Sequence, residues 1–253
     1  MNIYKKLLVP LFCFVFILMS SCSPDQPEKP TRPIESVEYD MNDLDPSLRL
    51  VLMMGHVAAG MELYRSGEYE MAAPHLLHPI SETHKKEREG FQEMGLDVVT
   101  FVLVSTALEA KRPAVEIEPF LKKAEDNLKS LALKVEGNPE TQIRFLLDQI
   151  KREYSIGVKG GEITDIGEFQ DAFGFASTAK TIAEQSELTN KTSIIAAIDE
   201  LIKCWPSGPN LVQNPVPVSM IGDSTSLVMN LLQSHAAINN DGLSVRVAPS
   251  TRD

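Results

Sequence analysis

Three of the five histidines in this 253-residue chain, His56, His75 and His78, sit close together in the sequence. A neutral imidazole nitrogen is a ligand for iron, zinc and copper, and carboxylates often complete such sites. His75, His78 and Glu82 are spaced i, i+3 and i+7, which keeps them within about 60° of one face of a continuous helix. His56 stands eleven positions before Gly67 and His78 eleven after it. Across an antiparallel helical hairpin turning at Gly67 the two reach the same height, roughly 16 Å from the turn. The pattern suits one transition-metal ion: iron, zinc or copper. A purely structural reading stands beside it. His75 and His78 flank Pro74 and Pro79 and can bond carbonyls that the prolines free, while His56 can fill a crossing among small residues. His84, in Thr83-His84-Lys85-Lys86, reads as solvated, and His235 as a residue at the edge of the core.

Glu168 and Asp171, three apart on one helix among Phe169, Phe173 and Phe175, form a second candidate, since paired carboxylates coordinate metal or share a proton. They too have structural uses. Asp165 with Glu168 three residues on is a capping box, and Asp171 can balance the helix dipole. Signatures of catalysis and of large cofactors are absent: there is no H-E-x-x-H, no G-x-S-x-G, no phosphate-cradling G-x-x-x-x-G-K-[ST] and no C-x-x-C-H. The expectation is a protein that is not an enzyme and takes neither haem nor nucleotide. Cys204, beside Trp205 at the end of an apolar helix, reads as a small buried hydrophobe.

The elements that must position these residues are helical almost throughout. Apolar spacing beyond Pro46 follows the helical period, and no alternating run bounded by hairpin signals competes with it. A helix over 46–66 carries the small residues Gly55, Ala58, Ala59 and Gly60, which let another helix approach closely. A second begins near Glu68, and Pro79 either kinks or ends it. The run Leu96 to Leu108, apolar nearly all round, predicts a central helix surrounded on every side. Ile117, Phe120, Leu121, Ala124, Leu128, Leu131 and Val135 form one stripe, and Ile143, Leu146, Leu147, Ile150 and Tyr154 another, with Asn138-Pro139 capping the second. Lys159-Gly160-Gly161 forms a turn, Asp165 opens a helix to about Gln185, Asn190 caps the next, and Ser224 to Ala237 makes the last. Tyr64, Gly67, Tyr69 and Ala72 fit the core of a tetratricopeptide hairpin, without a second copy at the interval of about 34 residues that a solenoid needs. The expected fold is an all-α bundle of about seven to eight helices over 46–239, with a tetratricopeptide-like first hairpin and a flexible tail over 240–253.

The N-terminus supplies an address. Met1 to Ser21 has a basic start at Lys5 and Lys6 and an apolar stretch of about 13 residues, short for a membrane span. Leu18-Met19-Ser20-Ser21-Cys22 resembles the lipobox of bacterial lipoproteins, which implies cleavage before Cys22 and acylation of its sulfur; two or three acyl chains anchor stably. Ser23 in the following position implies sorting to the outer membrane, with the domain facing the periplasm. Residues 22–45 hold Pro24, Pro27, Pro30 and Pro33 with seven acidic and two basic side chains, the composition of an extended tether. The net charge is −11, and −13 once Lys5 and Lys6 leave with residues 1–21. Such a balance excludes nucleic acid as a partner and leaves the lipid anchor as the route to a membrane.

A resemblance accompanies these motifs. Gly55-His56, Gly60, Glu62-Leu63-Tyr64, Gly67, Ala72-Ala73-Pro74-His75, His78-Pro79 and Glu82, then Glu168-Phe169-Gln170-Asp171-Ala172-Phe173-Gly174-Phe175 and Trp205-Pro206-Ser207, look like a group of exported bacterial helical proteins to which no activity is assigned. The segment from Tyr154 to Phe175 is similar to the periplasmic helical extension of some high-affinity iron permeases. The resemblance implies metal handling, with iron as the candidate metal, by His56, Glu62, His75, His78, Glu82, Glu168 and Asp171. It departs from the pattern at His84 and Phe169, where aromatic and tyrosine residues are usual. Two functions follow: a periplasm-facing lipoprotein that binds metal without catalysis, or a lipid-anchored helical scaffold whose hairpin groove receives an envelope protein partner.

Overall fold

The structure, a computed structural model, describes residues 44–241, with side chains described as far as Leu232. The signal segment, Cys22, most of the tether and the tail beyond Asp241 lie outside the described residues, as does the side chain of His235. Nine helices stand among the described residues: α1 Pro46–Arg65, α2 Tyr69–Ser81, α3 Lys85–Met94, α4 Val98–Glu109, α5 Ala114–Ala132, α6 Pro139–Gly157, α7 Ile166–Gln185, α8 Lys191–Ile202 and α9 Val218–Asp241. The addition to the expected set is α3, whose polar sequence KKEREGFQEM offers a single fully buried residue, Phe91. A two-stranded hairpin, β1 Val158–Lys159 and β2 Glu162–Ile163, turns through Gly160 and Gly161. Both glycines have positive φ, 63° and 83°, as the tightest hairpin turn demands.

The helix ends are set by local chemistry. The Asp45 side chain accepts from the amide of Ser47 ahead of Pro46, and Asn138 accepts from the amide of Thr141 ahead of Pro139. Gly67, at φ 88°, ends α1 as its amide donates to the Tyr64 carbonyl and that of Glu68 to the Leu63 carbonyl. α2 then runs without a break through both Pro74 and Pro79, so neither proline separates two helices. α9 reaches Asp241, two residues past the expected end of the domain.

Two apolar cores result among the described residues, and α1 serves both. Leu48, Val51 and Leu52 join the core of α6, α7, α8 and α9, built on Leu146, Ile150, Tyr154, Phe169, Phe175, Ile198 and Trp205. Leu50, Met53, Val57 and Leu63 join the core of α2, α3, α4 and α5, built on Leu76, Phe91, Phe101, Leu108, Ile117 and Leu121. The small-residue strip of α1 acts as expected, but with two partners: Gly60 faces Leu76 and His75 of α2, and Gly55 and Ala59 face Gly174 and Phe175 of α7. α7 thereby lies along the α1–α2 hairpin.

The expectation for α4 is corrected. Phe101, Val104 and Leu108 are buried, but Val99, Val102 and Leu103 face outward, Val99 being 64% exposed. A sequence apolar on all sides has no polar face to reveal which side meets solvent, so periodicity could not place it. No single helix among the described residues is long and apolar enough to cross a membrane.

A Cβ on Gly174 would overlap the Gly55 carbonyl and the Ala59 side chain and backbone amide. Gly174→Ala should force α7 off α1 and lower unfolding free energy by about 1–3 kcal/mol in urea melts, the usual cost of overpacking. Alanine at Gly90, which has nothing near its Cβ position, should not destabilise.

Candidate metal centre

The α1–α2 hairpin brings the three histidines together, and α7 inserts a carboxylate among them. The antiparallel arrangement sets His56 and His78 at one height, their Nδ1 atoms 3.1 Å apart. Asp171 Oδ1 lies 2.7 Å from His56 Nδ1 and 2.8 Å from His75 Nδ1, and Oδ2 lies 3.9 Å from His78 Nδ1. Glu82, the C-cap of α2, reaches back with Oε2 at 3.3 Å from His56 Nε2 and Oε1 at 3.6 Å from His78 Nε2. The prolines therefore do not claim the imidazoles: His75 and His78 bond to side chains from other turns and helices. His84 is exposed at the start of α3.

Burial divides the group into a floor and a lip. His75 and Asp171 are buried, Asp171 being 5% exposed, whereas the Glu82 side chain is 54% exposed. A cavity of about 390 Å³ opens over His56, His78, Glu82 and Asp171 and continues to Glu153, Glu168 and Asp165. Its wall also carries Arg49, which bonds Glu87 of α3 at 3.0 Å.

The charges are strongly interdependent. Burial works against a charge on His56, but Asp171 and Glu82 more than offset it and hold its pKa at about 10. Burial and the charge of His56 push His78 down to about 4, against the pull of Glu82 and Asp171. Burial likewise disfavours the Asp171 carboxylate, yet His56 and His75 keep its pKa well below the usual carboxylate range. Glu82 is lowered too: burial raises it, and His56 and then His78 overcome that. At neutral pH without metal, a His56 imidazolium bridges two carboxylates while His78 is neutral.

The geometry suits a small cation. One ligand atom from each of His56, His75, His78 and Asp171 can be chosen so that all lie within 4.8 Å of one another. Metal–nitrogen bonds of about 2.0–2.1 Å in a tetrahedron place neighbouring ligand atoms roughly 3.3 Å apart. The hydrogen-bonded contacts must widen by about 0.2–0.6 Å, and the widest pair must close by up to about 1.5 Å, for the four to meet one ion.

Two of the residues expected to join do not. Glu62 points away, its carboxylate 3.5 Å from Arg65, and lines a different cavity between α1, α5 and α7. Glu168 neither ligates with the four nor closes a capping box. Asp165 does cap α7, but its own amide goes to the Gly157 carbonyl, and Glu168 bonds Glu153 instead. That contact and burial push Glu153 up to about 9, burial contributing most. Cys204 is buried in the core, where burial raises its thiol.

Sequence reasoning missed Glu153 and Gln170. Glu153 lies seven residues after Leu146 on the buried face of α6, and an acidic residue in an apolar stripe was a readable signal. Gln170 is 2% exposed, with Oε1 2.8 Å from His75 Nε2 and its amide nitrogen 3.3 Å from Met71 Sδ. Nothing local distinguishes it, because its partners are on α2.

Residues 134–225 match the family model of the iron permease-associated 4-helix bundle domain. The segment spans α6, α7, α8 and the start of α9, so it includes Asp171 and Gln170 but none of the three histidines. Comparison with curated proteins and with solved structures gives no match.

His56 gains its proton affinity on folding, so its stabilisation is complete below the unfolded value near 6.5 and is lost as pH rises through about 10. Metal-free protein should therefore lose stability between pH 7 and pH 10 in urea melts. Asp171→Asn, which removes the main counter-charge, should flatten that dependence; an unchanged slope would contradict the charge assignment.

Proposed function

We propose that this protein binds one divalent transition-metal ion, iron foremost, as cargo or resident ligand and performs no catalysis with it. The observation that carries the reading is the convergence of three imidazoles and one carboxylate, from α1, α2 and α7, on a single point. Three neutral nitrogens and one oxygen are a borderline donor set that favours Fe²⁺, Zn²⁺ or Cu²⁺ over hard cations such as Mg²⁺ or Ca²⁺. Glu82 at the lip supplies a fifth, exchangeable donor. The match to the iron permease-associated 4-helix bundle domain supports a link to iron uptake.

Binding exchanges protons for metal. The cation takes the place of the proton shared by His56 and Asp171, so affinity rises with pH and protons are released. The acidic surface concentrates cations near the mouth.

The lipobox-like segment supports attachment through an acylated Cys22 at the bacterial envelope, with the outer membrane and a periplasm-facing domain as the proposed setting. A scaffold role for the hairpin groove has less support: α7 packs on α1 and bonds His75 and Met71 of α2 through Asp171 and Gln170, so an envelope partner would use another face.

Titration calorimetry and metal analysis on purified protein test the proposal. Wild type should take up close to one equivalent of Fe²⁺ or Zn²⁺, and His56, His75 and His78 changed together to Ala should take up none. Metal at 100 times its Kd should stabilise wild type by about 2.7 kcal/mol. Because His78 is neutral and only partly buried, His78→Ala should stay folded and still lose most affinity; full affinity there would sink the reading. Separately, Cys22→Ser should abolish acylation and release the protein from the membrane fraction of cells.

A further inference from the structure

Which nitrogen of His75 faces the metal is decided outside the ligand set, by Gln170. A thioether sulfur has no hydrogen and only accepts, so the 3.3 Å contact between Gln170 and Met71 Sδ calls for the NH₂ end of the amide. The other end, Oε1, then faces His75 Nε2 at 2.8 Å. Turning the amide over would press oxygen against sulfur, two acceptors in contact. A carbonyl oxygen only accepts, so Nε2 carries the hydrogen of this bond. Nδ1 is the nitrogen turned to the cluster: without metal its hydrogen is donated to Asp171 Oδ1 at 2.8 Å, and an ion bound there would displace that hydrogen.

We propose that Gln170, oriented by Met71, is a positioning residue that keeps the hydrogen on His75 Nε2 when metal binds and so fixes Nδ1 as the metal-binding atom. The inference rests on the metal-binding reading above. His56 has no such lock: the partner of its Nε2 is the half-exposed Glu82 carboxylate, free to turn into solvent. His75, buried and held at both nitrogens, is the fixed point against which the other two rings adjust. Partners of this kind orient a metal-binding ring, and losing one typically costs about 10–100-fold in metal affinity.

Zn²⁺ and Co²⁺ are the probes, used on the full chain. Wild type should bind both. Gln170→Leu, similar in volume but without an acceptor, should weaken Zn²⁺ by about 10–100-fold and shift the visible bands of bound Co²⁺. Gln170→Glu, which keeps an acceptor, should hold affinity within a few-fold of wild type. ¹⁵N-histidine NMR of the zinc-loaded wild type should show His75 bound through Nδ1 with hydrogen retained on Nε2, and this readout decides the matter even if a variant fails to fold. Zinc on Nε2, a folded Gln170→Leu with wild-type affinity, or equal losses in the Leu and Glu variants would each overturn the role of Gln170 while leaving the metal site standing. A wild type that binds neither ion would overturn the metal reading itself, and this inference with it.

Discussion

A carboxylate almost out of water, held between two imidazoles, is the constraint on which this structure turns. Asp171 sits on α7 with almost no access to solvent, and an isolated charge there would be several kcal/mol too costly to keep. His56 and His75 make it tolerable, both bonded to the same oxygen. Those two rings come from different helices, so neutralising one carboxylate fixes α1, α2 and α7 relative to one another. The close crossing of Gly55 and Ala59 with Gly174 is the steric side of the same requirement: without bare backbone there, Asp171 could not reach the hairpin.

The site also lies where two cores meet. α1 contributes apolar side chains to both, and His56 is placed midway along it. The segment that matches the permease-associated bundle brings the anion, and the hairpin outside it brings the imidazole rings. Neither half holds a complete site. Folding both halves is what creates it, and the ordinary hydrophobic packing of α1 is therefore part of the chemistry.

Much of this was legible in the sequence because it depends on local rules. Capping by Asn138 and Asp165, the stop at Gly67 and the glycine turn all follow from backbone geometry within a few residues. The shared height of His56 and His78 followed from helical rise and one well-placed turn. The partners of Asp171 and Glu168 were not legible, because they come from helices far away in the chain. Local spacing assigned Glu168 to a cap that the Gly157 carbonyl in fact satisfies, leaving its carboxylate to meet Glu153. Glu62 shows the converse: it shares α1 with His56, but six residues amount to about 600° of helix, which turns it about 120° away from the imidazole. The exposed side of α4 was hidden by uniformity, since no polar residue marked it.

The floor-and-lip arrangement governs how long an ion would stay. His75 and Asp171 are locked into packed helices, but Glu82 caps α2 with half its side chain in solvent, beside the open cavity. Rotation of one such side chain takes picoseconds to nanoseconds, whereas parting α1 from α2 or α7 is a collective motion of microseconds or longer. An ion held as proposed would thus pass to a competing chelator through the lip while every helix stays in place. A site of this form would exchange its ion as a courier does, without the closed shell of a store.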